Sequence, residues 1–196
     1  MKKVITAVLI LMGLCCSICF AESEPFDYKV LSDFENYSYD KFEKKWTYHG
    51  AYVKEYADAT VVIGVETAGD TSGVDAVMFY AWIRDEYNKD TLYVVKELMI
   101  LADDTLITCT LMDNDTSSAT VVTPVSVEAL RMISEAKELA FKLSFSTGSI
   151  TLEPSPEDIA EFVEAARVIY QYDLVSHVTD TSIFEIVERL FPITIE

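Results

Sequence analysis

The alternation of apolar and polar residues predicts a series of β-strands in the first two thirds of the chain. A run of β-branched residues is followed by typical turn residues; the run consists of Val61, Val62, Ile63 and Val65, and the turn residues are Gly69, Asp70 and Gly73. In the next stretch, residues 74–85, both alternating sets of side chains are largely apolar. A strand with two apolar faces is covered on both sides, so we expect this one to lie in the centre of a sheet.

Short turns separate the strands that follow. Asp103 and Asp104 form a predicted tight turn between strands at 91–102 and 105–112, and the polar stretch 113–118 turns the chain again. Strands joined by short turns pair antiparallel, because a parallel connection needs a crossover of about a dozen residues or more. The pattern therefore predicts an antiparallel meander.

The apolar period changes to that of an α-helix after Pro124. Ser126 is the predicted N-cap of a helix at 126–138. Alternating apolar and polar residues at 139–146 then predict a half-buried strand. A turn at Gly148 leads into one further short strand.

The clearest helix signal begins at Ser155. Ser155 and Asp158 have the spacing of a capping box, and Pro156 occupies the first helical position, where no backbone donor is lost. We therefore expect an amphipathic helix at 155–171. Its predicted apolar face consists of Ile159, Phe162, Val163, Ala166 and Ile169.

Together these elements predict an α+β fold, in which two or three helices pack on one face of an antiparallel β-sheet meander. The C-terminal half is predicted to run helix, strand, strand, helix, and its last helix, at 180–191, ends before Pro192. We expect three parts: a signal peptide at 1–21, a loosely attached polar N-terminal arm at 22–41, and a single α+β domain at 42–196.

The N-terminus has the layout of a secretory signal peptide, with two lysines, an apolar run and the small residue Ala21 before a polar segment. We expect cleavage after Ala21, no stable membrane span after that cleavage, and a periplasmic or extracellular location. Cys16 and Cys19 have Cys-x-x-Cys spacing, but the next cysteine, Cys109, is too distant for a second zinc-ligand pair. Lipid attachment at one of these cysteines and an uncleaved anchor stay open as alternatives.

The chain is strongly acidic, with 33 acidic and 15 basic residues and a net charge of −18. Residues 1–21 contain two lysines and no acids, so the remaining chain has 33 acidic and 13 basic residues and a charge of −20. This field repels phosphate backbones, and nucleic acid is therefore not an expected partner. Acidity often serves solubility, and a role in binding a basic partner requires a local cluster of acids.

Motifs of the common catalytic sites are missing from the sequence. His49 and His177 are too far apart for a His-Glu-x-x-His motif, and no glycine-rich nucleotide loop or serine nucleophile motif is found, so no cofactor is indicated. The candidate catalytic residue is Glu97, which interrupts an apolar strand and is predicted to share a face with Val95 and Met99. Because a buried carboxylate is costly unless it is paired, Glu97 is either exposed at an edge or part of a carboxylate pair, as in glycoside hydrolysis.

Asp113 and Asp115 are the candidate metal ligands, because they stand at alternate positions like the first ligands of a calcium loop. The stretch departs from an EF-hand, since Ser118 stands where glycine is needed and Pro124 where a bidentate glutamate is needed. Turn formation alone accounts for this composition. Cys109 lies in an apolar strand and is predicted to be a core residue.

Aromatic residues are concentrated between positions 37 and 56, and they can serve either the core or the recognition of sugars and proteins. Trp46 begins the β pattern, so we expect it in the core. Tyr37 and Tyr39 fall in the polar arm, so we expect them to be exposed. The candidate binding residues in this stretch are Tyr37, Tyr39, Tyr48 and Tyr52.

The sequence thus favours an exported, non-enzymatic binding or envelope-associated interaction protein with a protein or glycan partner. Two alternatives stay open. One is a secreted hydrolase that uses a carboxylate pair with Glu97, and the other is a carrier with a small ligand in a cavity between sheet and helices.

Overall fold

The computed structural model of this chain describes residues 26–57, 59–85, 95–110, 112–113, 121–145, 148–178 and 193–195. The predicted signal peptide with its Cys-x-x-Cys pair, the candidate ligand Asp115 and the helix predicted at 180–191 lie outside these residues. Within the described ranges, no helix is long and apolar enough to cross a membrane.

The described residues form eleven strands, two α-helices and two 3₁₀ helices. The strands are β1 Tyr37–Asp40, β2 Lys45–Glu55, β3 Ala59–Asp70, β4 Gly73–Asp85, β5 Val95–Ala102, β6 Thr105–Thr110, β7 Met112–Asp113, β8 Val121–Pro124, β9 Leu139–Phe145, β10 Gly148–Leu152 and β11 Ile193–Ile195. The α-helices are α1 Val127–Glu135 and α2 Ala160–Gln171, and the 3₁₀ helices are Tyr28–Asp33 and Leu174–His177.

The strands form two antiparallel sheets, one with six strands in the order β1-β2-β3-β4-β8-β7 and one with five in the order β10-β9-β5-β6-β11. The α+β class and the strand meander are confirmed, since β1 to β4 follow one another in chain order. As predicted, β4 is a central strand, with β3 and β8 on its two sides. The division into two sheets arises because β5 pairs with β9 and β6 instead of continuing the meander beside β4.

The predicted turn at Asp103 and Asp104 is confirmed, because Ala102 and Thr105 are partners in the hairpin of β5 and β6. Asp103 adopts a positive φ of 51°, which aspartate tolerates better than most residues. This geometry places the turn against the connection between α1 and β9.

The cap predicted at Ser126 is confirmed at the start of α1, whereas the helix predicted to begin at Ser155 begins at Ala160, with Ile159 as an N-cap that makes no side-chain hydrogen bond, so the predicted capping box lies in the turn before α2. The hydroxyl of Ser126 accepts a hydrogen bond from the Ala129 backbone N–H at 3.1 Å. Ser155 and Asp158 form a reciprocal capping box, in which the Asp158 N–H donates to the Ser155 hydroxyl and the Ser155 N–H donates to the carboxylate. Local hydrogen bonds therefore mark the start of α1 and the turn before α2 in the C-terminal order α1, β9, β10, α2.

One hydrophobic core joins the two sheets and α2. Phe79 on β4 and Phe141 on β9 both pack against Phe162 of α2, with ring centroids 6.2 Å and 5.5 Å from it. Tyr52 on β2 stacks on Phe141 with a centroid distance of 5.8 Å, so the inner faces of the two sheets also touch directly.

The segment before β2 packs against the domain, which differs from the loosely attached arm that we expected. Leu31 in the first 3₁₀ helix is fully buried. Tyr28 stacks on both Tyr39 and Trp46, with centroid distances of 5.7 Å and 6.1 Å. The expectation is wrong for the described part of the arm, because its aromatic residues pack against β2. The arm has no regular apolar period in its own sequence, so these contacts were not predicted.

Candidate functional site

The structure places the catalytic candidate Glu97 on the outer face of the five-stranded sheet. A register shift between Val95 and Glu97 makes Lys96 a β-bulge, so Val95 faces the core while Glu97 shares the outer face with Met99. The predicted common face of Glu97 and Val95 is therefore wrong. Glu97 is half-buried, and its partners in the register are Ser144 and Thr110, neither of which is an acid.

The metal candidates are not brought into a described cluster. Asp113 lies on β7, opposite Val121, and Asp115 lies outside the described residues. In the part of the chain that the structure describes, no group of three or more His, Cys, Asp or Glu side chains is placed to hold a metal ion.

The candidate binding tyrosines divide into two pairs. Tyr48 and Tyr52 are buried, as is Trp46, for which the core prediction is confirmed at 1% exposure. Tyr37 and Tyr39 are half-buried and pack against the core, so the expected exposure is wrong for both. Of these four tyrosines, Tyr48 borders a groove at the protein surface.

Three segments of the chain build this feature, which we call the acidic groove. It is lined by Asp33, Phe34, Glu35, Asn36, Tyr48, Ala160, Glu161 and Glu164, and its volume is about 370 Å³. One wall is the link between the first 3₁₀ helix and β1, the other wall is the start of α2, and Tyr48 comes from β2.

Packing and backbone hydrogen bonding fix the wall that precedes β1. The buried side chain of Leu31 anchors the 3₁₀ helix. The Asn36 carbonyl accepts a hydrogen bond from the His49 N–H at 3.4 Å, which continues the pairing of β1 and β2. The Phe34 ring is tilted by 58° against the Tyr48 ring, with centroids 5.6 Å apart. The two rings that form this contact both line the groove.

Gly50 positions the opposite wall. It lies on the inner face of β2, two residues after Tyr48, and a Cβ atom there would be 2.2 Å from the Glu161 carbonyl oxygen and 2.5 Å from Ala165 Cβ. The helix backbone therefore lies directly against the strand. Because α2 approaches so closely, Glu161 and Glu164 stand beside Tyr48.

Tyr48 is 2% exposed, and its hydroxyl makes no hydrogen bond with any described residue. Burial and, to a lesser degree, the negative charge of Glu164 raise the pKa of Tyr48 to about 12. The hydroxyl therefore stays protonated at neutral pH and is able to donate or accept. Among the described residues, the buried side-chain hydroxyl that has no hydrogen-bond partner is that of Thr67, the register partner of Tyr48 on β3.

The groove is negatively charged, because four of its residues are acids. Glu164 forms an ion pair with Arg167 on the next turn of α2. Asp33, Glu35 and Glu161 are exposed and form no ion pair with the described residues. These carboxylates surround one concave surface.

A second cleft, of about 470 Å³, lies at one end of the five-stranded sheet. It is lined by Leu101, Asp103, Lys137, Glu138, Leu139, Ala140, Glu153, Pro154, Pro156 and Ile159. Asp103 already accepts hydrogen bonds from the backbone N–H groups of Lys137 and Glu138, each at 3.0 Å. That carboxylate has a structural role, and the cleft contains charges of both signs.

Sequence reasoning identified Tyr48 as a binding candidate but missed the residues around it. Glu35 and Glu161 are more than a hundred positions apart, so no local motif connects them. The only sequence signal for an acidic site was the strong overall acidity of the chain, which does not show where the acids cluster. Spatial proximity of the two walls depends on Gly50, whose importance no periodicity reveals.

No known protein family matches the chain. No curated protein and no solved structure resembles it significantly either. The chemistry of the site therefore follows from its own residues.

Proposed function

We propose that this chain is an exported, non-enzymatic binding protein that holds a positively charged group of its partner in the acidic groove. The observation that carries this proposal is the composition of the groove, where four carboxylates surround Tyr48, a 2% exposed side chain whose hydroxyl has no hydrogen-bond partner among the described residues.

Tyr48 lines the groove, and its hydroxyl forms no hydrogen bond with a described residue, so it is open to a donor from a partner. Asp33, Glu35 and Glu161 offer charge-assisted acceptors for further N–H groups, since no described cation neutralises them. These features together favour a cationic donor.

The overall charge supports the same conclusion. A chain with a net charge of −18, or −20 without residues 1–21, attracts cationic partners over distances of about a Debye length, ~8–10 Å. The groove adds short-range contacts to this general attraction. Export belongs to the proposal because of the signal-peptide layout, which predicts a periplasmic or extracellular partner.

The test is a binding titration with a fluorescent peptide in which lysine and arginine alternate with glycine. A peptide with glutamate in place of the basic residues is the control ligand. Glu161→Gln should weaken binding of the basic peptide by about three- to tenfold, as expected for a charge-assisted hydrogen bond. The matched control is Glu157→Gln, which removes the same charge near the start of α2 but lies outside the groove lining.

Glu157→Gln should change the affinity by less than about twofold, since exposed charges interact weakly in water. Equal losses in the two variants would mean that the peptide responds to general acidity, and the groove would lose its assignment. Binding of the acidic peptide with similar affinity would contradict the proposal as well.

A further inference from the structure

The carboxylates of the acidic groove are spread along it. Asp33 and Glu35 belong to the wall before β1, whereas Glu161 and Glu164 belong to α2. Among the described residues, no three acidic or other metal-binding side chains converge on one point. A calcium ion requires six to eight oxygens at about 2.3–2.6 Å, so this arrangement does not suit a single metal ion.

A ligand with several separated positive charges fits this distribution better. Each ammonium group carries three diverging N–H donors, and these can reach acceptors on both walls. A guanidinium group is instead a planar fork that is best matched by the two oxygens of one carboxylate. Acids on opposite walls, each offering one contact, therefore favour ammonium groups.

The rest of the lining suits the carbon chain between such charges. The rings of Phe34 and Tyr48 give the groove an aromatic contact surface, and methylene groups pack well on aromatic faces. Tyr48 is 2% exposed as a residue, and its hydroxyl, which forms no hydrogen bond with a described residue, supplies an acceptor for one N–H group. This hydroxyl is independent of the acids and distinguishes the groove from a chance group of surface carboxylates.

We infer that the ligand of the acidic groove is an oligoamine, an aliphatic chain that carries two or more ammonium groups. This chemistry occurs both in free polyamines and in lysine-rich segments of polypeptides. The inference rests on the proposed function and narrows it from cationic groups in general to ammonium groups on flexible spacers.

Calorimetric titrations of the full chain at constant ionic strength test the inference with four probes: spermine, a lysine–glycine peptide, an arginine–glycine peptide of equal length, and CaCl₂. We expect spermine or the lysine peptide to bind at one site, at least about fivefold more tightly than the arginine peptide. Binding of spermine and the lysine peptide alike supports the shared chemistry, and binding of only one identifies the source of the amine.

Three variants locate the binding. Glu161→Gln should lower the affinity for whichever amine binds by about three- to tenfold. Tyr48→Phe should lower that affinity by about two- to fivefold without lowering the melting temperature. Glu157→Gln, outside the groove, should stay within about twofold of the unmodified chain.

Equal affinity for the lysine and arginine peptides, with Glu161 still required, would overturn the ammonium assignment and leave the proposed function standing. Competition of CaCl₂ with spermine at equal ionic strength would show a metal site instead. If none of the cationic probes depends on Glu161, both the inference and the proposed function fail.

Discussion

Gly50 and Glu161 are in backbone contact, since a Cβ atom added at position 50 would lie 2.2 Å from the Glu161 carbonyl oxygen. This contact joins the six-stranded sheet to α2, whose residues Glu161 and Glu164 line the acidic groove. Gly50, which has no side chain, therefore allows α2 to bring Glu161 to the groove.

Gly50→Ala should lower the free energy of unfolding by about 1–3 kcal/mol, because the added methyl group displaces the helix from the strand. The control is Gly148→Ala, where the nearest atom belongs to the Phe145 ring at an ordinary contact distance of 3.5 Å. We expect a change within about 0.5 kcal/mol for that variant. Urea titrations with similar losses for the two variants would contradict the close approach of α2.

Phe162→Ala should cost about 3–5 kcal/mol, since the ring is fully buried between both sheets and its removal leaves a cavity. Its neighbour Glu161 is exposed, and Glu161→Ala should change stability by less than about 0.5 kcal/mol. Chemical denaturation of the two variants compares two adjacent positions of one helix, of which one is buried and one is exposed. A large loss for Glu161→Ala would show that the helix faces are assigned incorrectly.

Tyr48→Phe should leave the stability at neutral pH unchanged or slightly higher, because the lost hydroxyl has no described partner. In alkali the two proteins should differ. The folded state raises the pKa of Tyr48 from 10.0 to about 12, so it binds this proton more tightly than the unfolded chain does. Its contribution is complete below about pH 10 and is lost as the pH rises to about 12.

Thermal melts between these pH values should therefore show a smaller loss of stability for Tyr48→Phe than for the unmodified chain. Other tyrosines and Cys109 also contribute in this range, so the difference between the two proteins is the quantity to measure. Parallel curves for the two proteins would mean that the Tyr48 hydroxyl is solvated in the folded state.

Cys109 should resist alkylation in the folded protein. The residue is fully buried, and burial raises the pKa of its thiol to about 12, whereas the reactive species is the thiolate. Iodoacetamide at pH 8 should label the peptide that contains Cys109 only after urea is added, as mass spectrometry of digests will show. Rapid labelling without urea would contradict the core position.

Export predicts a mature N-terminus at Glu22 in the native host. Intact-mass measurement of the purified protein checks this directly. A mature chain that retains Cys16 and Cys19 would refute cleavage after Ala21 and would reopen lipid attachment, an uncleaved anchor and metal binding as explanations of these cysteines.

The elements that the sequence predicted well are those specified by neighbours in the chain. Ser155 and Asp158 form the predicted reciprocal hydrogen bonds in the turn before α2, and the turn at Asp103 is equally local. For such features, side-chain chemistry at a fixed spacing determines the backbone, so a single sequence is sufficient.

The features that escaped prediction depend on contacts between distant segments. The bulge at Lys96 reverses the face of Glu97 relative to Val95, and only the pairing of β5 with β9 reveals it. The same pairing divides the strands into two sheets. The burial of Tyr39 depends on Tyr28, which no apolar period connects to it. The acidic groove was not predicted for the same reason, because its residues come from three separate segments.

Phe79 and Phe141 both contact Phe162, so the core between the two sheets can form only after residue 162 has been synthesised. Strands β1 to β4 are contiguous and emerge early in synthesis, but their inner face lacks Phe141 and Phe162 until residue 162 has emerged. An uncovered apolar sheet is prone to association with other chains. The proposed export would therefore require a chaperone that holds the chain unfolded, or transport that is faster than sheet formation, until residue 162 is available.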